Sequence, residues 1–249
     1  MTIHPNLHAA FSAGHALKII SGLTNFDTEN VLAVAKAAQQ GGATFVDIAA
    51  DADLVRQVSE QISLPICISA IDPKAFLAPV AAGAALIEIG NFDVFYAQGL
   101  MFSANDVLNL TQQTRELLPN ITLSVTVPHT LPLDEQVHLA ENLVAMGADI
   151  IQTEGGTSSR PNHPGSIGLI EKATPTLAAA HAISRAVSIP VLCASGISDV
   201  TAPMAIAAGA AGVGVGSAVN KLNDEIAMIA AVRSLSEALQ TVTRSAEKV

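Results

Sequence analysis

The sequence has no tryptophan, a single tyrosine and only 3 % aromatic residues, although 50 % of its 249 residues are hydrophobic. Its core must therefore be built from Ala, Val, Ile and Leu, which pack closely in layers of strands and helices. Basic residues are also scarce, since 12 Lys and Arg stand against 22 Asp and Glu and give a formal net charge of −10. This balance lacks the positive field that attracts nucleic acid or an anionic membrane. The partner that we expect is a small molecule.

Cysteine is limited to Cys67 and Cys193, and both lie in segments with the pattern of buried strands, where a thiol usually acts as a small apolar side chain. Residues 1–18 lack the basic start and apolar run of a signal peptide, and also the Arg and Ser content of a transit peptide. The least charged stretch, 200–216, contains a proline and four glycines and falls short of the ~18 apolar residues of a membrane span. We therefore expect a protein of a reducing compartment, the cytosol or, for a plastid-encoded chain, the stroma.

Two parts of the chain repeat one pattern. SLPICIS and AAGAALIEIG, from Ser63 to Gly90, match SIPVLCAS and AAGAAGVGVGS, from Ser188 to Ser217. Gly83 and Gly209 occupy equivalent places 126 positions apart, close to half of the chain. Each copy predicts a short buried strand, a helix that ends at a glycine, and a second buried strand. Repeated units of this kind predict a parallel sheet.

Eight strand candidates alternate with helical patterns over a length that suits a single (β/α)8 domain. The candidates are 17–21, 44–49, 65–69, 85–89, 122–127, 149–153, 190–194 and 212–216. An open sheet of eight strands would leave two unpaired edges, so the alternation favours a closed TIM barrel. We expect residues 1–16 to form an extra helix beneath the barrel floor.

One connection is longer than the others. Residues 155–174, after the sixth strand, show no apolar period and predict a loop on the active face. Thr174 followed by Pro175 predicts that the next helix starts there, with proline at its first position.

The strongest binding signal follows strands seven and eight, where ASGIS and GVGVGSAVN place glycine-rich turns. Backbone N–H groups converge in such turns, and a short helix from Ser217 would direct its positive end at an anion, which is the usual phosphate site of a TIM barrel. The expected phosphate-binding residues are Ser195, Gly196, Gly216 and Ser217. The alternative is that these glycines only permit close strand packing.

A second signal is charge within strands that should be buried on both faces. The candidates for catalysis are Lys18, Asp47, Glu88 and Glu154, near the ends of strands one, two, four and six. The repeat places Glu88 opposite Gly214, so all four can face the barrel lumen. Lys18 could be a Schiff-base nucleophile or an electrostatic clamp, and Glu88 or Glu154 a general acid or base. The alternative is a buried ion-pair cluster without catalysis, because structural networks perturb charges as active sites do.

Weaker candidates lie in the loops. His129 follows the fifth strand, and Arg160 and His163 lie in the long loop; all three are candidate ligand contacts, although a lone loop histidine is usually solvated. The loop after strand four could cover a ligand or form an apolar plug or subunit contact; it carries Phe92, Phe95, Tyr96, Met101 and Phe102. No metal-ligand spacing and no Rossmann or Walker motif is present, so we expect no metal site.

Two resemblances follow from these residues. The segment from about 174 to 220 resembles the phosphate-binding half of TIM barrels that act on sugar phosphates or bind flavin mononucleotide (FMN). The whole chain is similar to the hypothetical chloroplast reading frame 23 family of cyanobacteria and algal plastids, through LKIISGLTNFD, VDIAAD, IEIGNFD, SVTVPHTLPLDEQ and QTEGGTSS. The resemblance implies a TIM barrel and carries over no catalytic residue.

Three functions remain open from the sequence. The first is an enzyme acting on a small phosphorylated metabolite, as a lyase, aldolase, isomerase or epimerase without a cofactor. The second is an FMN-binding oxidoreductase similar to nitronate oxygenases, suggested by QTEGG before the long loop. The third is a metabolite-binding regulator without turnover. Homo-oligomers are compatible with all three.

Overall fold

The computed structural model describes residues 5–155 and 159–246, and its eight parallel strands close into one barrel in chain order. The strands are β1 (Ala16–Ile20), β2 (Phe45–Ala49), β3 (Ile66–Ala70), β4 (Leu86–Ile89), β5 (Thr122–Thr126), β6 (Ile150–Gln152), β7 (Val191–Ala194) and β8 (Gly212–Val215). Every end lies within one residue of the predicted strand. The TIM barrel prediction is confirmed.

Helices surround the barrel and cover its outer face. They are α1 (Pro5–Ser12), α2 (Thr28–Gly41), α3 (Ala52–Ser59), α4 (Leu77–Ala81, after a 3₁₀ turn at Pro73–Phe76), α5 (Asp93–Tyr96), α6 (Ala104–Leu117), α7 (Leu133–Ala145), α8 (Gly165–Ser184), α9 (Ala202–Ala207), α10 (Ser217–Asn220) and α11 (Glu225–Ala246). Within the described ranges, no helix is both long enough and apolar enough to cross a membrane.

The strands alternate between two environments because successive side chains point to opposite faces. Outward residues such as Ile19, Val46 and Ile87 pack with the helices in the main core. Inward residues at the amino-terminal ends of the strands, among them Phe45 and Leu86, form a separate apolar layer across the lumen.

The helix α1 closes this lower end of the barrel, as the sequence predicts. Its Leu7 and Phe11 belong to the same apolar cluster as Phe45, Leu86 and Leu192. The rings of Phe11 and Phe45 lie 6.2 Å apart between centroids. The opposite end, where the strands terminate, is the end that remains available to a ligand.

The predicted loop at 155–174 is too long, and this part of the prediction is wrong. The helix α8 begins at Gly165 and contains Pro175, so the connection after β6 is about half the expected length; its residues 156–158 lie outside the described residues. Proline cannot donate to the carbonyl four positions earlier. The hydroxyl of Ser159 donates to that carbonyl, the Glu171 O, at 3.0 Å, which satisfies it and lets the helix continue.

The two cysteines are structural, and their chemistry can be tested. Cys67 and Cys193 are free thiols with no exposed surface. Burial raises the pKa of Cys193 to about 11 and raises the pKa of Cys67 well above its usual value. Because the thiolate is the reactive species, we expect no reaction of the native protein with a disulfide reagent at pH 8 and two thiols per chain after denaturation. Rapid native labelling would contradict this.

Candidate functional site

The lumen above the apolar layer contains a buried charged cluster built by β1, β2 and β4. The Lys18 Nζ lies 2.7 Å from the Glu88 Oε2 and 3.2 Å from the Asp47 Oδ2. The Ser69 hydroxyl donates to the Asp47 Oδ1 at 2.5 Å, and the Ser124 hydroxyl donates to the Glu88 Oε2 at 2.9 Å. The predicted lumen position of these three charges is therefore confirmed.

The cluster holds Lys18 as an ammonium. Burial alone would lower its pKa, but the charges of Asp47 and Glu88 outweigh burial and raise the pKa above the usual lysine value. Lys18 has no exposed surface and is not among the residues that line the cavity above it. An imine nucleophile needs a neutral, accessible amine, so the geometry favours the ion-pair alternative for Lys18, Asp47 and Glu88.

A cavity of about 870 Å³ opens above this cluster, at the carboxyl ends of the strands. Its floor includes Gln152, the last residue of β6, and Glu154, two residues further along the chain. The turns after β7 and β8 form one wall. The lining side chains that carry formal charge are Asp93, Glu154, Lys172 and Lys221. The lining thus has equal numbers of acidic and basic side chains, although the chain as a whole has a net charge of −10.

The glycines of β8 have two different roles. A Cβ on Gly212 would lie 2.4 Å from the Ala16 O, and one on Gly214 would lie 2.9 Å from the Ala194 Cβ, so these two glycines permit close strand packing. Among the described residues, the atom nearest to a Cβ on Gly216 would be the Ile20 Cβ, at 3.7 Å. Gly216 therefore has room beside it on the side of the cavity, which Gly196 also lines.

The short helix α10 begins at Ser217, as predicted, directly after Gly216. The first N–H groups of a helix have no intrahelical acceptor, and Ser217 and Ala218 both line the cavity. The side chain of Asn220 donates to the Ile20 O and Ser21 O at 3.0 and 3.1 Å, which fixes α10 against the end of β1.

The hydroxyl of Ser195, predicted to bind phosphate, contacts a carboxylate. It donates to the Asp93 Oδ2 at 2.8 Å. Ser195 has φ +74°, a left-handed conformation that costs a non-glycine residue ~1 kcal/mol or more. The hydrogen bond to Asp93 helps to hold this turn, and Ser195 lies in the cavity wall.

A second polar cluster lies at the floor of the cavity around Glu154. The hydroxyl of Tyr96 donates to the Glu154 Oε1, which also accepts from the His129 backbone N–H at 3.1 Å. The His129 Nδ1 lies 3.1 Å from the same oxygen and 3.5 Å from the Asp93 Oδ1. Loops after β4, β5 and β6 supply these residues.

Burial and hydrogen bonding set the proton affinities in this cluster. Burial raises the pKa of Glu154 even though His129 and Tyr96 donate to it. Burial would lower the pKa of His129, but its hydrogen bond to Glu154 and the two nearby carboxylates raise it overall. A carboxyl and an imidazole with raised pKa values in contact can exchange a proton near neutral pH.

The same residues include potential metal ligands, which the sequence spacing does not reveal. Asp93, His129 and Glu154 each offer one ligand atom, and these atoms lie within 4.8 Å of one another. The Glu154 Oε1 already accepts hydrogen bonds from Tyr96 and the His129 backbone, so a cation at this oxygen would have to displace those donors. We therefore interpret the cluster as a proton-sharing network.

Two of the loop candidates lie away from the cavity lining. His163 is exposed, and its Nδ1 lies 2.7 Å from the Glu171 Oε1, where it stabilises the start of α8. Arg160 is exposed as well.

In the loop after β4, Phe92 is fully buried and packs on Phe102 with ring centroids 4.4 Å apart, which matches the interpretation of this loop as an apolar plug.

The sequence reasoning missed four residues of the site as specific candidates. Asp93 and Tyr96 are the first and last residues of the short helix α5, and in the sequence they differ from their neighbours only in being polar within an aromatic segment. Lys172 lies within residues 155–174, which the sequence predicts to be a loop. Its position on α8, on the side that lines the cavity, therefore could not be recognised from the sequence. Lys221 follows Ser217 by four residues, a spacing that places both on one side of a helix and could have identified it.

Solved structures similar to this chain include two that are named for phosphorylated compounds. Thiamine phosphate pyrophosphorylase from Pyrococcus furiosus is 20 % identical with a TM-score of 0.58 and matches 92 % of this chain and 98 % of its own. (S)-3-O-geranylgeranylglyceryl phosphate synthase from Thermoplasma acidophilum is 14 % identical with a TM-score of 0.61, matching 97 % of this chain and 100 % of its own. At this identity the likeness shows the fold alone.

Sequence relatives define the family. The protein named uncharacterized protein ycf23 from Cyanophora paradoxa is 47 % identical over 225 residues, 88 % of this chain and 90 % of that protein. The ycf23 protein of Pyropia yezoensis is 37 % identical over 240 residues, 96 % of this chain and 88 % of that protein. Residues 3–245 match the model of the family described as protein of unknown function DUF561. The resemblance to the reading frame 23 proteins is thereby confirmed, and the chain belongs to the DUF561 family.

Proposed function

We propose that the protein is an enzyme that binds a small phosphate ester and moves a proton on it, as an isomerase, epimerase or lyase does. One observation carries the proposal. The cavity of about 870 Å³ combines open, glycine-containing turns after β7 and β8 with a buried Glu154 whose Oε2 has no hydrogen-bond partner among the described residues. The turns suit an anionic group, and the carboxylate suits a proton acceptor.

The phosphate end of the site is assigned to Gly196, Gly216 and Ser217, with Lys172 and Lys221 as the cations that line the same cavity. Two lysines offset the repulsion that Asp93 and Glu154 exert on a dianion. Lysine binds phosphate as a point charge and needs no fixed geometry, which fits the exposed position of Lys221.

The proton-transfer end is assigned to Glu154, with His129 and Tyr96 as positioning residues on its Oε1. These contacts leave the Glu154 Oε2 for the ligand. A carboxyl whose pKa is raised by burial holds its proton more strongly than an exposed one and is a better base. Lys18 receives no covalent role, because it lies below the cavity with its charge neutralised.

Binding of FMN is the alternative that shares the phosphate site. The cavity floor presents acceptor oxygens from Gln152 and Glu154, which suit ligand hydroxyl or ammonium groups better than the carbonyl oxygens of a flavin ring. A regulator without turnover would bind its ligand through the same phosphate site and the same oxygens of the cavity floor. For each of the three functions the proposed compartment is the cytosol or the stroma, which the resemblance to plastid and cyanobacterial proteins supports.

Native mass spectrometry of the purified protein separates these functions. A co-purifying phosphate ester supports the proposal, whereas a yellow protein with the mass and absorbance of FMN contradicts it in favour of the oxidoreductase. The same spectrum reports any bound metal ion, whose presence would contradict the proton-sharing interpretation of Asp93, His129 and Glu154.

The phosphate assignment predicts a specific effect of Gly216→Val. The described atoms nearest to a Cβ at this position lie 3.7 to 3.8 Å away, so the fold should tolerate the side chain while the added atoms fill the space assigned to phosphate. We expect the affinity for inorganic phosphate, measured by calorimetry, to fall at least ~tenfold, which corresponds to ~1.4 kcal/mol. The exposed Ala186→Val is the control. Unchanged phosphate affinity in Gly216→Val would refute the assignment.

A further inference from the structure

The floor of the cavity carries two buried oxygen atoms that lack hydrogen-bond partners among the described residues. They are the Gln152 Oε1 and the Glu154 Oε2, on side chains that line the cavity and are each 2 % exposed. Residues two apart on a strand point to the same face. An unpaired buried acceptor costs ~1–3 kcal/mol, so each atom marks a place where a ligand can supply a donor.

The orientation of the Gln152 amide follows from its neighbours. Its Nε2 donates to the Glu88 Oε1 at 2.6 Å and to the Thr126 Oγ1 at 3.2 Å. Glu88 in turn accepts from Lys18 and Ser124. A carboxylate can only accept hydrogen bonds, so the amide nitrogen must face Glu88 and the amide oxygen must face away from it.

The Gln152 Oε1 lies beside Gly214, whose lack of a side chain leaves room for the amide. A Cβ built on Gly214 would lie 3.4 Å from this oxygen, 2.9 Å from the Ala194 Cβ and 3.3 Å from the Ile20 Cδ1. Gln152, Ala194 and Ile20 all line the cavity. The buried Lys18, Asp47 and Glu88 cluster thus sets the polarity of the cavity floor, because it fixes which end of the Gln152 amide reaches the ligand.

We propose that Gln152 selects ligands whose end remote from the phosphate carries hydroxyl groups, so that the ligand is the phosphate ester of a polyol such as a sugar phosphate. The ligand hydroxyls donate to the Gln152 Oε1 and the Glu154 Oε2. Glu88 is a positioning residue that acts through Gln152. The inference rests on the proposed function for the phosphate end alone.

Calorimetry with four probes tests the inference on the wild-type chain. The probes are inorganic phosphate, propyl phosphate, which has no hydroxyl, ribose 5-phosphate, which has several, and phosphoethanolamine, which carries an ammonium group. We expect ribose 5-phosphate to bind at least ~tenfold more tightly than propyl phosphate, since one additional hydrogen bond contributes ~0.5–1.5 kcal/mol and two acceptors are present.

The variant Gln152→Met keeps the side-chain length and removes the acceptor. It should reduce the preference for ribose 5-phosphate over propyl phosphate to within ~threefold and leave the affinity for inorganic phosphate unchanged, because ~0.5–1.5 kcal/mol is then lost from one ligand only. Gln136→Met is the matched control: Gln136 is also buried and donates to the Leu131 O at 2.8 Å, but it does not line the cavity. Glu88→Gln should also weaken the preference for ribose 5-phosphate. An amide at position 88 can donate as well as accept, so it no longer fixes the orientation of the Gln152 amide.

The calorimetric results distinguish failure of this inference from failure of the proposed function. Equal affinity of the wild-type protein for ribose 5-phosphate and propyl phosphate overturns the inference and leaves the phosphate site intact. Tighter binding of phosphoethanolamine than of ribose 5-phosphate also overturns it, since the floor would then select an ammonium group. If none of the phosphate probes binds, the proposed function itself fails. The comparison of ligands on the wild-type chain needs no variant, so it holds even if Gln152→Met does not fold.

Discussion

Replacement of Lys18 by methionine should destabilise the protein by ~3–5 kcal/mol, the loss expected when one partner of a buried ion pair is removed. The substitution leaves Asp47 and Glu88 as buried carboxylates within a layer that has no exposed surface to hydrate them. Urea unfolding of the wild-type and variant proteins at neutral pH gives this difference directly. The exposed Lys74→Met is the control and should change stability by less than ~0.5 kcal/mol.

The loss of stability caused by Lys18→Met should become smaller as the pH falls. Burial already raises the pKa of Glu88 in the intact cluster, and loss of the ammonium removes an interaction that lowers it. A carboxyl whose pKa is higher in the folded state contributes stability that is fully present below its unfolded pKa, about 4.5, and is lost as the pH rises through the folded value. Lys18→Met should therefore be less destabilised at pH 5 than at pH 7.5.

A triple variant separates charge from packing. Lys18→Met combined with Asp47→Asn and Glu88→Gln removes all three charges and keeps similar side-chain volumes, and such joint replacements are often close to neutral. We expect it to recover most of the lost stability and to lose the pH dependence. A single variant that is as stable as the wild-type protein at every pH would contradict the charged state of the cluster.

The sequence predicts the barrel well because its signal is repeated and local. Gly83 and Gly209 each end a helix with positive φ, at 114° and 106°, before the equivalent strands β4 and β8. The same alignment predicts that Glu88 and Gly214 face the lumen, and the contacts of Lys18 with Glu88 agree. Strand ends are accurate for the same reason, since every strand is buried on both faces and bounded by turn residues.

The site is less predictable because it depends on contacts between distant loops. Tyr96 and Glu154 are 58 positions apart in the chain, and Ser195 is 102 positions from Asp93. Nothing in the local pattern of either segment encodes these pairs. Likewise, Pro175 predicts a helix start by local propensity, whereas the hydroxyl of Ser159 satisfies the carbonyl that proline leaves free. Tertiary contacts override the local signal in each case.

Glu154→Gln should abolish most turnover while the fold persists. The amide has the same shape and its oxygen can still accept from Tyr96 and from the His129 backbone N–H, but it cannot take up a proton. General acid or base groups contribute ~10²–10⁴-fold to rate, so we expect a loss of that size with the phosphate ester that mass spectrometry identifies. The affinity for inorganic phosphate should be retained or should rise, because the substitution removes the repulsion that Glu154 exerts on a dianion.

A spectroscopic measurement checks the same substitution without a substrate. Glu154 raises the pKa of His129 through a hydrogen bond and through its charge, so Glu154→Gln should lower that pKa in an NMR titration of the imidazole. Glu171→Gln is the matched control, because Glu171 contacts His163 and should leave the His129 titration in place. Since Asp93 also lies 3.5 Å from the His129 Nδ1, the Glu154→Gln variant retains one carboxylate partner. A His129 pKa that is unchanged in Glu154→Gln would show that Glu154 does not raise it, and would contradict the assignment of Glu154 as the group that exchanges a proton in this cluster.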